Sequence, residues 1–238
     1  MQLSALSLDV GGTLLYERPS RYAIYAEAGR LRGLQVSDEG MRSRMVQAHH
    51  GLPHEIDGAF RYSDPWFRRF IEAIYVKDLG LPRAELASLT EELFERFQDP
   101  GTFRLFPGVH EVIGAARDLG LRVGVTSNWS ARLPQVLDAL DLSGVLDFVV
   151  CSAIEHCEKP ASRIFELAAA RAHCKPAAML HVGDRSDLDG AAQLAGMQVV
   201  LIDHFNKLPG NERPGPSGQS LPVVRDLHAL REHIQQRA

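Results

Sequence analysis

The run Leu8-Asp9-Val10-Gly11-Gly12-Thr13-Leu14 carries one carboxylate from a short apolar stretch into a double-glycine turn. Glycines at 11 and 12 let the backbone turn sharply and approach a ligand with no Cβ in the way, and Thr13 sets a hydroxyl beside the acid. Asp9 is therefore a candidate nucleophile, although an acid in this place also serves as an ordinary helix cap. At Thr126-Ser127-Asn128 a hydroxyl and an amide precede a helix whose free backbone donors favour an anion, which makes a candidate phosphate cradle. At Glu158-Lys159-Pro160 a lysine able to neutralise a phosphate stands just before a helical run. From His181 to Asp189, the stretch His-Val-Gly-Asp-Arg-Ser-Asp-Leu-Asp brings Asp184, Asp187 and Asp189 together within six residues. Clustered acids repel unless a cation sits among them. Mg2+ suits hard oxygen ligands and is commonly held by one or two carboxylates plus a substrate phosphate. One of Asp187 and Asp189 could equally be a helix N-terminal acid favoured by the helix dipole.

The elements that must position these groups follow from periodicity. Residues 3–8 read as a short buried strand. From 20 to 98 helical spacing dominates: Ala23, Tyr25, Ala26 and Leu31; Trp66, Phe67, Phe70, Ile71, Ile74 and Tyr75; Leu86, Leu89, Leu93, Phe94 and Phe97. This block predicts a helical bundle with almost no strand. After Asp99-Pro100-Gly101 helix and strand alternate, with helices over 109–119, 133–140, 162–172 and 188–195 and strands over 121–126, 148–151, 179–182 and 198–202. Such alternation predicts an α/β fold with a doubly wound parallel sheet, whose ligands bind at the carboxyl ends of the strands. The segment 208–221, with Pro209, Pro214 and Pro216, reads as a surface loop, and a helix over 225–236 closes the chain.

A chain of 238 residues can bury a substantial core, and apolar and charged fractions of 45% and 24% are those of a soluble globular protein. A formal charge of -4 argues against nucleic acid held by electrostatics and favours small molecules. With no membrane-length apolar run and no secretion-signal pattern, a cytoplasmic address without a membrane partner is expected. Cys151, Cys157 and Cys174 lack CxxC spacing and read as reduced thiols. The ten histidines show no zinc motif, and the adjacent His49 and His50 would diverge on a helix.

Taken in order, an acid, a hydroxyl, a lysine and an acid cluster, each after a strand, resemble the four motifs of the haloacid dehalogenase-like hydrolases. The resemblance spans nearly the whole chain: Asp9 to Thr13, then Ser127, Lys159, and Gly183 to Asp189, supported by Phe106-Pro107-Gly108-Val109 and Ala195-Gly196-Met197. It implies a Rossmann-like core of residues 1–19 and 99–238 and an inserted helical cap of residues 20–98 acting as a mobile lid. It also implies Asp9 as nucleophile in an aspartyl-phosphate route, with Ser127 and Lys159 completing the catalytic set. Mg2+ would be held by Asp9, the main-chain oxygen of Gly11, Asp184 and Asp189, the last favoured over Asp187 by the GDxxxxD spacing. Gly12, Thr13 and Asn128 would contact a small phosphorylated substrate, and the protein would be a monomer or homodimer.

One departure stands out. Family phosphatases carry a second aspartate two residues after the nucleophile as general acid and base, and here that position is Gly11. General acid-base assistance is worth roughly 10² to 10⁴ in rate, so good leaving groups or another acid, such as Tyr16, Glu17 or a cap residue, would be needed. A dehalogenase would have a tyrosine at position 11 and lack the acid cluster, and a phosphonate-cleaving enzyme would need a desolvated cap lysine, for which Lys77 is the one available. The reading is a Mg2+-dependent hydrolase of a small phosphorylated metabolite. Its alternatives are dehalogenase- or phosphonatase-like chemistry on the same scaffold, or a non-catalytic member that binds a phospho-ligand or partner. Arg21, His50, Arg61 and Arg68 are cap cations available for substrate selection.

Overall fold

A computed structural model describes residues 2–207, 210 and 212–237. The chain divides into two compact units, one of residues 1–16 and 105–238 and the other of residues 17–104.

The first unit is built on a seven-stranded sheet. In chain order its strands are β1 (Ala5–Leu8), β6 (Arg122–Ser127), β7 (Phe148–Cys151), β8 (Met179–Gly183), β9 (Gln198–Ile202), β10 (Glu212–Pro214) and β11 (Ser220–Val224). Their spatial order is β10-β11-β9-β8-β1-β6-β7. The pairings from β11 through to β7 are parallel and only β10 with β11 is antiparallel. The core is thus an α/β, Rossmann-like, doubly wound sheet. The chain winds outward from β1 through β6 to β7, then returns to β8 and winds the other way. Leu8 pairs with Val125 on one side and Val182 on the other, so β1, β6 and β8 end side by side at the switch point where such sheets bind ligands. The central strands are near-continuous apolar runs because a parallel sheet is covered on both faces.

Helices α5 (Val109–Asp118), α6 (Leu133–Ala139), α7 (Ser152–Glu155), α8 (Ser162–Arg171) and α9 (Leu227–Gln235) belong to this unit. Under α8, Phe165, Ile164 and Ala168 pack with Phe148, Met179 and Val199 into one buried cluster. No helix among the described residues is long and apolar enough to cross a membrane.

The second unit contains α1 (Arg21–Arg30), α2 (Asp38–Gly51), α3 (Asp64–Glu72) and α4 (Leu86–Arg96). Ser20 and Ser37 cap α1 and α2 by accepting from Ala23 N–H and Gly40 N–H. The aromatic set read from the sequence is its core: Trp66 stacks on Phe70 at 5.4 Å, and the Tyr75 hydroxyl donates to the Tyr25 carbonyl at 2.5 Å. Leu31 departs from its set; it follows the end of α1 and is 73% exposed.

Other elements differ from expectation for identifiable reasons. The helical bundle carries a hairpin, β3 (Glu55–Ile56) and β4 (Ala59–Phe60), turned by Asp57 and Gly58, both at positive φ. Two further short strands, β2 (Leu15–Glu17) and β5 (Phe103–Leu105), pair where the chain passes between the units. The expected loop at 208–221 instead contributes β10 and the start of β11, while residues 208, 209 and 211 of that segment lie outside the described residues. Its prolines mask the strand signal, yet Leu221 and Val223 alternate inward, and Pro214 is tolerated at the end of the edge strand β10. The expected α-helix at 188–195 is a 3-10 helix, Asp189–Ala195. Its start is irregular, because the amides of Leu188, Asp189 and Gly190 all converge on the Arg185 carbonyl in place of a regular α-helical ladder.

Gly124 of β6 lies so close to β7 that a Cβ would stand 2.4 Å from both the Phe148 carbonyl oxygen and its ring. Gly124→Ala is expected to destabilise the protein by about 1–3 kcal/mol in urea unfolding. An unchanged midpoint would mean that β6 is not held this tightly.

Candidate active site

Asp9 follows β1 directly, with its amide donating to the Val182 carbonyl at 2.7 Å. The turn after it is wound on the Val10 carbonyl, which accepts from the amides of Thr13, Leu14 and Leu15. Gly12 has φ +83°, and a Cβ there would meet Asp184 Oδ2 at 2.5 Å. Glycine at 12 therefore allows both the turn and the approach of a second acid.

The ends of β1, β6 and β8 and the loop between α7 and α8 supply one cluster. The Ser127 hydroxyl donates to Asp9 Oδ1 at 2.8 Å, and Lys159 Nζ donates to the same oxygen at 2.7 Å. Lys159 Nζ also donates to Asp189 Oδ1 at 2.5 Å. Asp9, Asp184 and Asp189 each offer a carboxylate oxygen within 4.8 Å of one another. Asp189, the acid that spacing favoured, is fully buried in this cluster, whereas Asp187 is exposed and forks onto Arg185 at 2.8 and 2.5 Å. A Cβ at Gly183 would stand 2.0 Å from Asp189 Cγ, so that glycine makes room for the acid.

Lys159 is held from both ends. The Asn128 side chain accepts from the Lys159 amide at 2.8 Å and donates to its carbonyl at 2.9 Å. Asn128, expected to contact substrate, thus spends both polar atoms on the backbone of the lysine. Thr13 is fully buried and its hydroxyl has no hydrogen-bond partner among the described residues.

Charge explains the titration of the cluster. Burial pulls the Lys159 ammonium down, but Asp189 and Asp9 outweigh it and hold the group above its usual range. Burial pushes Asp189 up, but Lys159 and His181 keep it well below the ordinary carboxylate range. At Asp184 burial, then Asp9 and Asp189, outweigh the pull of Lys159 and Arg185 and push the carboxyl up to about 7. Three acids against one ammonium leave an excess of negative charge facing hard oxygen donors, which fits a divalent cation such as Mg2+.

Several contributors escaped the sequence reading. His181, on β8, places Nε2 3.0 Å from Asp189 Oδ1 and Nδ1 3.1 Å from Ser7 Oγ, which lies 2.8 Å from Thr126 Oγ1. A polar residue within an otherwise apolar strand was the available signal for Ser7, Thr126 and His181. His204 follows β9; its Nε2–H donates to the Thr13 carbonyl at 2.9 Å and its ring stacks on Phe106 at 3.7 Å. Of the possible substitute acids, Tyr16 packs on Phe106 at 4.8 Å and Glu17 pairs with Arg21 at 2.5 Å. Lys77 is exposed, which does not fit a desolvated amine. Among the cations of the second unit, Arg68 pairs with Glu91, Arg61 donates to the Leu52 carbonyl, and His50 is exposed.

A family model described as haloacid dehalogenase-like hydrolase matches residues 3–196. The chain is 31% identical to mouse (Mus musculus) haloacid dehalogenase-like hydrolase domain-containing protein 3 over 235 residues, 95% of this chain and 93% of the relative. It is 33% identical to the phosphoglycolate phosphatase of Salmonella choleraesuis over 133 residues, 53% of this chain and 52% of that one. Among solved structures, the HAD phosphatase of Thermococcus onnurineus superposes with a TM-score of 0.68 at 23% identity, covering 99% of this chain and 100% of its own.

The raised Asp184 sets a stability prediction for the metal-free protein. A carboxyl at about 7 when folded, against an ordinary 3.8, holds its proton more tightly folded than unfolded. Stability from this group is therefore full below the unfolded value and falls as pH rises from about 4 to about 7. In EDTA, Asp184→Asn should stabilise the protein at pH 8 by on the order of 2 kcal/mol, a value discounted for partial exposure, and raise Tm by several degrees. The gain should vanish near pH 4. Equal Tm shifts at both pH values would show that repulsion among the acids is not the cause.

Proposed function

We propose, for a chain that belongs to the haloacid dehalogenase-like hydrolase family, that it is a Mg2+-dependent hydrolase of a small phosphorylated metabolite, with Asp9 as nucleophile. The observation that carries this reading is the convergence of Ser127 and Lys159 on one oxygen of Asp9, beside Asp184 and Asp189. The phosphatase relative from Salmonella, alike over half its length, supports the substrate class.

With Oδ1 clamped by two donors, Oδ2 is the oxygen left to attack phosphorus. The new O–P bond forms as the bond to the leaving oxygen breaks, giving an aspartyl-phosphate and the leaving group as its anion, a phenolate or carboxylate, which takes any proton from solvent. Water then attacks phosphorus, releases phosphate and restores the Asp9 carboxylate. Lys159 holds the carboxylate in line and keeps a third N–H for a phosphoryl oxygen, while Ser127 would turn its one hydroxyl proton from Asp9 to a phosphoryl oxygen as substrate binds, so their work is orientation and charge stabilisation. Asp9, Asp184 and the Gly11 carbonyl would hold Mg2+, with Asp189 at the edge of that set. When bound, the ion neutralises phosphoryl charge as a Lewis acid. Residues 20–98 would form the cap that selects the substrate.

Gly11 decides the substrate range. Without the usual aspartate, no side chain at position 11 protonates the leaving oxygen, so acyl and aryl phosphates, which leave as weak bases, are favoured over alkyl phosphates. The same glycine also favours a second reading, a member that binds a phospho-ligand without turning it over.

Phosphate release from an aryl phosphate, with and without Mg2+, separates the two. Metal-dependent turnover abolished by Asp9→Asn is expected, and absence of turnover in folded, Mg2+-binding protein would favour the binder. Gly11→Asp supplies the missing acid and should raise kcat on an alkyl phosphate at least about tenfold, part of the roughly 10² to 10⁴ available to a general acid, with a smaller gain on the aryl ester. Equal gains on both esters would show that leaving-group protonation is not limiting.

A further inference from the structure

We propose that His181 is a positioning residue of this site, holding Asp189 through its Nε2–H and, through Asp189, fixing the direction in which Lys159 presents its ammonium to Asp9. The kinetic part of this inference rests on the hydrolase reading above; the structural part does not.

Asp189 is engaged on both oxygens. Oδ1 accepts from Lys159 Nζ at 2.5 Å and from His181 Nε2 at 3.0 Å, and Oδ2 accepts from the Arg185 amide at 3.0 Å. A carboxylate only accepts, so the ring proton of His181 sits on Nε2. That leaves Nδ1 as an acceptor for the Ser7 hydroxyl at 3.1 Å, and Ser7 in turn accepts from the Thr126 hydroxyl at 2.8 Å. Asp189 thereby selects the tautomer, and the two hydroxyls, able to donate or accept, align with it. Phe165 meets the ring edge-on at 5.1 Å and blocks its rotation from the α8 side.

The result is a directed chain, Thr126 to Ser7 to His181 to Asp189, meeting Lys159 and then Asp9. Ser7, Thr126, His181 and Asp189 are each 0% exposed, and Lys159 is 3% exposed. Bulk water does not compete for these bonds, so each donor matters. A lysine stem has four rotatable carbons and no intrinsic direction. Here Asn128 fixes its backbone and Asp189 fixes its tip, and Asp189 keeps its orientation only while His181 and the Arg185 amide hold it. Removing a group that orients a directly acting residue typically costs about 10–100-fold in activity.

Two substitutions at one position isolate the Nε2 contact. Glutamine can carry an N–H to about where Nε2 lies, and asparagine is too short and reaches only the Ser7 side. His181→Asn should lower kcat on an aryl phosphate about 10–100-fold with KM little changed, while His181→Gln recovers most of the loss. A structural role alone would move both variants equally.

NMR of the ¹⁵N-labelled protein reads the same chain without turnover. The His181 ring should be protonated at Nε2, and a slowly exchanging Lys159 ammonium signal should persist in His181→Gln and disappear in His181→Asn. If wild-type protein shows no turnover, the hydrolase reading falls while the NMR pattern still decides this one. If neither His181 variant folds, Ser7→Ala carries the test, with a weakened Nε2 tautomer and a faster-exchanging lysine expected. A ring protonated only at Nδ1, equal effects of asparagine and glutamine, or a Lys159 signal indifferent to Ser7→Ala would each overturn the proposal.

Discussion

A buried ammonium shared between two carboxylates is the contact on which the rest of this site depends. Lys159 is 3% exposed and bridges Asp9 and Asp189 at 2.7 and 2.5 Å. Isolated in that environment, each of the three charges would be driven to neutralise. Set together they compensate one another, and the surrounding structure shows what that requires: an asparagine on the lysine backbone, a serine hydroxyl on Asp9, and a histidine and a backbone amide on Asp189. Breaking one contact leaves another charge unpaired, so the cluster behaves as a unit.

The third acid lies outside this balance. Asp184 packs against the Gly12 backbone and faces Asp9 and Asp189, and burial together with these two acids pushes its carboxyl up to about 7 despite Lys159 and Arg185. The folded chain therefore stores electrostatic repulsion where a divalent cation would relieve it. Two glycines permit this crowding, Gly12 beside Asp184 and Gly183 beside Asp189. They matter to the chemistry because they contribute no atoms.

The sheet explains why residues far apart in sequence meet. Lys159 lies 150 residues from Asp9 and 30 from Asp189, and Ser127 lies 118 from Asp9. Parallel winding brings β1, β6 and β8 side by side with their carboxyl ends together. A shift of one residue in any of these registers would turn the strand's last side chain to the opposite face.

Much of this was legible along the chain because it depends on near neighbours. Apolar runs announced β7 and β9 with the observed bounds, helical spacing found the Trp66, Phe70 and Tyr75 core, and the double glycine marked the turn after Asp9. Local signals also misled: prolines hid β10 and β11, and Asp57-Gly58 carried a hairpin turn that helical neighbours obscured. The GDxxxxD spacing favoured Asp189 over Asp187, and the fold shows where each acid lies. Both suit a helix start in sequence, but one turns inward to Lys159 and His181 while the other pairs with exposed Arg185. The roles of Ser7, Thr126 and His181 were likewise hidden, since a polar residue in a buried strand reveals its partner only when strand order is known. Residue types, their order and the strand ends that bear them follow from short-range periodicity; which groups share a proton or a charge follows from strand order and register, set by packing across the whole chain.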